Sequence, residues 1–63
     1  MENMINNYIN GNITTARKQA KRFSAFKIQE TLIELYGYSE RKARLTAQWL
    51  KTGENRQAAC DAA

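Results

Sequence analysis

The chain lacks histidine and proline and has only one cysteine among its 63 residues. Without histidine or a pair of cysteines it lacks the usual metal-ligand sets, and it has no glycine-rich loop of the phosphate-binding kind. Cys60 has no histidine to activate it as a nucleophile and is interpreted as a small apolar residue. These absences predict a protein that is not an enzyme and that needs no cofactor and no metal.

Long apolar runs are also missing, and no stretch approaches the roughly 20 apolar residues of a membrane span. Residues 1–12 are rich in asparagine and lack both the basic start and the apolar run of a signal peptide. A secreted domain this small would usually need several disulfides, and a single cysteine cannot form one within the chain. The sequence therefore predicts a cytoplasmic protein that does not contact a membrane.

Glycine is scarce, and its three positions divide the chain into helical segments. Gly11, Gly37 and Gly53 fall where helices would end, and strong helix formers fill the sequence between them. Ser24 and Ser39 stand where N-caps are expected. The sequence predicts an all-α fold, a small single-domain bundle of three main helices plus short terminal helices.

The predicted domain spans residues 1–63, with a short N-terminal helix or arm at 1–12, core helices at 13–51, and a segment at 54–63 that either forms a short helix or frays. So short a chain builds only a thin core, which leaves homo-oligomer formation open as a further source of stability. The predicted inward positions are Met4, Ile5, Tyr8, Ile9, Ile13, Ala16, Ala20, Phe23, Ile28, Leu32, Ile33, Leu35, Tyr36, Ala43, Ala47 and Leu50, with Thr46 and Trp49 at the border.

Positive charge is concentrated in the second predicted helix. Ten Lys and Arg against six Asp and Glu give a net charge of +4, and four of the ten cations fall within six residues. These four are Arg17, Lys18, Lys21 and Arg22. At helical spacing they share one face, which could bind a phosphate backbone or an acidic protein surface, or could only keep the domain soluble.

The segment 28–50 resembles a helix-turn-helix, with residues 37–39 as the turn. The side chains that would face a DNA groove are Arg41, Lys42, Arg44 and Gln48. Two residues depart from the pattern, because Ile33 stands where a small residue is expected and Thr46 where an aliphatic one is expected. The same turn, together with residues 52–55, also resembles the loops of the ubiquitin-associated three-helix fold, which implies a shape and no ligand.

Four blocks of sequence along most of the chain resemble short proteins encoded by bacteriophages and prophages. The blocks are residues 20–24, 37–39 with 42–43, 50–53, and 57–61. This resemblance implies an accessory factor acting in a bacterial host cell, one that binds a host or phage protein or a nucleic acid. It supplies no functional residue.

Two functions follow as hypotheses. The first is an adaptor or inhibitor that binds a host or phage protein through a helical face. The alternative is a DNA- or RNA-binding regulatory protein, in which the basic residues of the second helix contact phosphates and Arg41 and Arg44 read bases. Three acidic residues, Glu30, Glu34 and Glu40, would oppose an extended phosphate contact, which favours the first hypothesis.

Overall fold

A computed structural model describes residues 1–54 and 56–61, and the described residues form helices and no strands. The element order along the chain is α1 (Glu2–Ile9), α2 (Ile13–Ala20), α3 (Ala25–Tyr36), α4 (Glu40–Thr52) and α5 (Arg56–Asp61). The predicted all-α class is confirmed. The last segment, whose structure the sequence left open, is a helix from Arg56 to Asp61, while Asn55, Ala62 and Ala63 lie outside the described residues.

Helices α3 and α4 begin and end where the predicted caps stand. The Ser24 hydroxyl accepts a hydrogen bond from the Lys27 N–H at 3.1 Å, and the Ser39 hydroxyl accepts one from the Lys42 N–H at 3.2 Å. Gly37 and Gly53 end α3 and α4 in the left-handed conformation, at φ of 69° and 79°. A side chain at these positions would be strained, so glycine fixes both helix ends.

Helix α4 is the centre of the bundle, packing against α2, α3 and α5, while α1 packs against α2. The core combines a few large side chains with four alanines, and small residues at a helix contact shorten the distance between helix axes. The core residues are Met4, Ile5, Ala16, Ala20, Ile28, Leu32, Ala43, Ala47, Trp49 and Leu50. The first helix is therefore part of the core through Met4 and Ile5, both almost fully buried.

Five positions differ from the predicted apolar stripes. Leu35, Ile9 and Ile33 were expected inside and are exposed, at 62%, 54% and 36%. Helix α3 packs mainly against one neighbour, α4, and a single neighbouring helix covers only a narrow stripe, here Ile28 and Leu32. Thr46 and Trp49 were expected at the border and are buried, Thr46 completely.

Helix α2 ends at Ala20, with Lys21 as its C-cap, so Arg22 lies beyond the helix. Beyond Ala20 the chain continues in a tighter turn, with N–H groups of Arg22 and Phe23 donating to the carbonyls of Gln19 and Ala20, each at 3.1 Å. Such bonds between residues three apart commonly close a last helical turn. The turn brings the carbonyls of Ala20 and Phe23 towards α4.

Candidate functional site

A basic pocket lies between α2 and the C-terminal part of α4. Three of the predicted cations, Arg17, Lys18 and Lys21, are exposed and border an open depression of about 240 Å³. The α4 residues Leu50 and Lys51 form the opposite side. The complete lining is Ile13, Thr14, Arg17, Lys18, Lys21, Leu50 and Lys51, so the pocket has four cationic side chains and no acidic one. We call this depression the basic pocket.

Arg17 packs its guanidinium against the end of α4. A Cβ atom added at Gly53 would lie 2.6 Å from Arg17 Nη2, so the glycine leaves the space that the guanidinium occupies. Positive charge is favourable beside the C-terminal carbonyls of a helix, where the helix dipole is negative. Gly53 therefore both ends α4 and positions one wall of the basic pocket.

Lys51 is a pocket residue that the sequence did not single out. It is half-buried, and its Nζ donates hydrogen bonds to the Phe23 carbonyl at 2.6 Å and to the Ala20 carbonyl at 3.3 Å. The ammonium group thus caps the C-terminus of α2 from the neighbouring helix. This contact ties α2 to α4 at the edge of the basic pocket.

Replacing Lys51 with methionine should lower the free energy of unfolding by about 1 kcal/mol. The change keeps an unbranched side chain but removes a charge-assisted donor from two helix-end carbonyls, and partial exposure to water moderates the loss. Urea denaturation of the purified protein measures it. Lys18→Met is the matched control, because Lys18 is exposed and has no hydrogen bond with a described residue. Equal stability of the two variants would contradict the capping role.

The predicted residues of α4 lie on the same side of that helix as Lys51. Arg41, Arg44 and Gln48 are exposed and are followed by Lys51 at spacings of three and four residues, which places all four on one helix face. The face leads into the basic pocket at Lys51. We call the combined surface the basic band: Arg17, Lys18, Lys21, Lys51, Arg44 and Arg41.

Arg22 lies apart from the other predicted cations. It borders a different depression, near the start of the chain, beside Met1, Asn3 and Phe23. Its position in the turn after Ala20 explains this separation, because the chain has left the helical path there. The structure therefore brings together five of the six predicted site residues along one band and places Arg22 elsewhere.

Acidic residues flank the basic band without neutralising it. Glu40 lies four residues before Arg44 on α4, and Glu54 follows Gly53. No cation of the band forms an ion pair with any residue in the described part of the chain. The positive charges of the band are therefore not neutralised by a described carboxylate, although the Lys51 ammonium group is hydrogen-bonded to two backbone carbonyls.

A second depression, of about 340 Å³, is lined by three aromatic rings and four other side chains. The Tyr8 and Trp49 ring centroids are 5.6 Å apart with the planes tilted by 54°. The Arg56 guanidinium lies 5.3 Å from the centre of the Trp49 ring, and Lys42 Nζ lies 4.8 Å from that of Tyr38. The lining residues are Tyr8, Ile9, Ile13, Tyr38, Trp49, Arg56 and Cys60. We call this depression the aromatic groove.

Both tyrosines of the aromatic groove have a raised pKa. Burial is the main cause that raises the pKa of Tyr8, and the neighbouring Tyr38 and Cys60 raise it further, while a weak interaction with the Thr46 hydroxyl and the charge of Arg56 lower it. Burial also raises the pKa of Tyr38. Near neutral pH both hydroxyl groups are uncharged, as at the ordinary pKa of tyrosine, and can donate hydrogen bonds.

Neither a metal-ligand cluster nor a membrane-spanning helix is found in the described ranges 1–54 and 56–61. These residues include no group of three histidine, cysteine or acidic side chains that could hold a metal ion. None of their helices is long and apolar enough to cross a bilayer. Cys60 is exposed at the rim of the aromatic groove.

Comparison of the chain with protein-family models, with curated proteins and with solved structures finds no match. The function is therefore inferred from the residues of the basic band and the aromatic groove.

Proposed function

We propose that this protein binds nucleic acid through the basic band. The observation that supports this most is the position of Lys51, which lines the basic pocket and shares a helix face with Arg44 and Arg41. Two groups of cations that are distant in the sequence thereby form one surface. A band of this kind suits a phosphate backbone, which presents negative charges at regular intervals.

The electrostatic state of the band also favours binding. Its cations have no ion-pair partner among the described residues, so phosphates would not have to displace an internal carboxylate. Phosphate contacts release condensed counterions, and this release drives much of the association between proteins and nucleic acids. The exposed row of Arg41 and Arg44 on α4 further suits contact with a groove or with a second stretch of backbone.

Charge reversal at the basic pocket tests the proposal. In the double variant Lys18→Glu, Lys21→Glu, two phosphate contacts become repulsive, so affinity for random-sequence DNA and RNA at low salt should fall by about tenfold or more. The slope of log affinity against log salt should also decrease by about two. Fluorescence anisotropy with labelled oligonucleotides across a salt series measures both quantities.

The matched control is the double variant Arg22→Glu, Lys27→Glu. Both variants change the net charge from +4 to zero, but Arg22 and Lys27 are exposed residues outside the basic pocket. The control should keep most of the affinity. If the two variants lose affinity equally, binding depends on net charge alone. If the unmodified protein binds no nucleic acid at low salt, the proposal is wrong.

A second candidate function is protein binding through α3. Phe26 is 65% exposed and Ile33 36%, and these residues, seven positions apart, lie on the same outer face of α3. Exposed large apolar side chains on one helix face suit a protein partner. This hypothesis predicts that a partner captured by the tagged protein is lost with Phe26→Ser but retained by the pocket variant Lys18→Glu, Lys21→Glu.

Either activity would suit a small accessory factor of bacteriophage type acting in the cytoplasm of a bacterial cell. The sequence blocks that resemble short phage proteins support this setting. An exposed basic surface without a catalytic constellation among the described residues supports a protein that acts by binding, alone or as a homo-oligomer, as a regulator or an inhibitor does.

A further inference from the structure

The basic pocket and the aromatic groove are neighbours. Ile13, the first residue of α2, lines both depressions, with Thr14 and Arg17 on the side of the pocket and Tyr8 and Ile9 on the side of the groove. A ligand that follows the surface across Ile13 would therefore meet cations first and aromatic rings next. Neither the charge pattern nor the apolar stripes of the sequence indicate this adjacency.

The aromatic groove has the components of a stacking site. Trp49 is 5% exposed and forms the floor, while Tyr8 and Tyr38 are half-buried and keep part of their rings at the surface. Lys42 lies over the Tyr38 ring and Arg56 over the Trp49 ring, so a base that enters the groove would stack on an exposed ring face or on the Arg56 guanidinium. Every nucleobase has a flat π surface, so rings and an arginine side chain can bind bases with little regard to sequence.

We propose that the basic pocket and the aromatic groove form one site for single-stranded nucleic acid, with phosphates at Arg17, Lys18 and Lys21 and an unpaired base in the groove. This inference rests on the proposed function and specifies its ligand. The bases of a duplex are stacked on one another and paired, so they reach such a groove only after being turned out of the helix at a cost of a few kcal/mol. A single strand has no such cost and is the preferred ligand.

Three probes of similar charge separate base binding from phosphate binding in the full chain. They are a short oligothymidylate, a strand of the same length that has the sugar-phosphate backbone but no bases, and a duplex of half that length, which carries about the same number of phosphates. Trp49 is the only tryptophan of the chain and lies in the groove, so its emission reports binding there without a label. Affinities are obtained by titration at fixed low salt.

The oligothymidylate should bind about tenfold or more tightly than the strand without bases, because stacking one base contributes about 1–3 kcal/mol. It should also bind more tightly than the duplex and change the Trp49 emission. Equal affinity for all three probes would overturn the proposed single-strand site but would still agree with the proposed function, binding of nucleic acid through phosphate contacts. Absence of binding to every probe would instead refute the proposed function itself.

Tyr38→Ala gives a second, independent measurement. This variant should lose most of the preference for the oligothymidylate over the strand without bases, while its affinity for the latter stays unchanged. Tyr36→Ala is the matched control, since Tyr36 is also half-buried and packed against the core but lines neither depression. A preference that persists in Tyr38→Ala would exclude stacking on that ring. If circular dichroism shows that either variant is unfolded, the comparison of the three probes with the unmodified protein still tests the single-strand site.

Discussion

Leu32→Ala should unfold most of the protein at room temperature or bring it close to that point. Leu32 is completely buried in α3, and truncating such a leucine typically lowers the free energy of unfolding by about 2–5 kcal/mol. A domain of this length has a total stability of only about 3–9 kcal/mol. Few other large side chains share the core, so little remains to compensate. Thermal and urea denaturation followed by circular dichroism measure the loss.

Leu35→Ala provides the matched control for this experiment. The residue type and helix are the same, but Leu35 is 62% exposed, and surface substitutions usually change stability by less than about 0.5 kcal/mol. Both variants replace leucine with alanine in α3, so the change in helix propensity is the same. The difference between their free energies of unfolding therefore measures the effect of burial. A large loss with Leu35→Ala would mean that this side chain is covered in solution, as it would be in a homo-oligomer.

Thr46→Val should raise the free energy of unfolding by about 1 kcal/mol. The Thr46 side chain is completely buried, and its hydroxyl makes no full hydrogen bond to any described residue. A buried hydroxyl without a partner costs about 1–3 kcal/mol, whereas valine has nearly the same shape and no polar group. The weak interaction with Tyr8 offsets part of the gain. Urea denaturation measures the change in midpoint.

Thr46→Ser separates the hydroxyl from the methyl group of this side chain. Serine keeps the hydroxyl and removes a buried methyl group, so this variant should be less stable than the unmodified protein by about 1 kcal/mol. The order of stability expected is valine, threonine, serine at position 46. A destabilised Thr46→Val variant would show that the hydroxyl has a functional hydrogen bond, and Tyr8 would be its partner.

The sequence predicts the helices well because their ends are encoded locally. Ser24 and Ser39 cap the backbone beside them, and Gly37 and Gly53 adopt conformations that other residues rarely reach, so neither signal depends on tertiary contacts. Burial is predicted less well, because it depends on which helices are neighbours. Leu35 follows the spacing of a core residue, but the packing of α3 mainly against α4 leaves it outside.

The candidate site was predictable in part. The charge pattern singled out Arg17, Lys18 and Lys21, but it also included Arg22, which the turn after α2 places elsewhere. Lys51 was missed, since its importance depends on the approach of α4 to the end of α2. Its spacing from Arg44 and Gln48 was the one signal available in the sequence. The aromatic groove depends on contacts between α1, α4 and α5, which the pattern of a single helix does not contain.

The chain order of the helices is also largely their order in space, since α1 packs on α2, α3 on α4, and α4 on α5. The main contact that joins distant parts of the sequence is between α2 and α4, where Lys51 caps α2. Loop closure costs conformational entropy that grows with loop length, and chains with mostly local contacts fold quickly. Folding can therefore begin separately in each half of the chain, and the surface that we propose as the ligand site is completed only when the halves join.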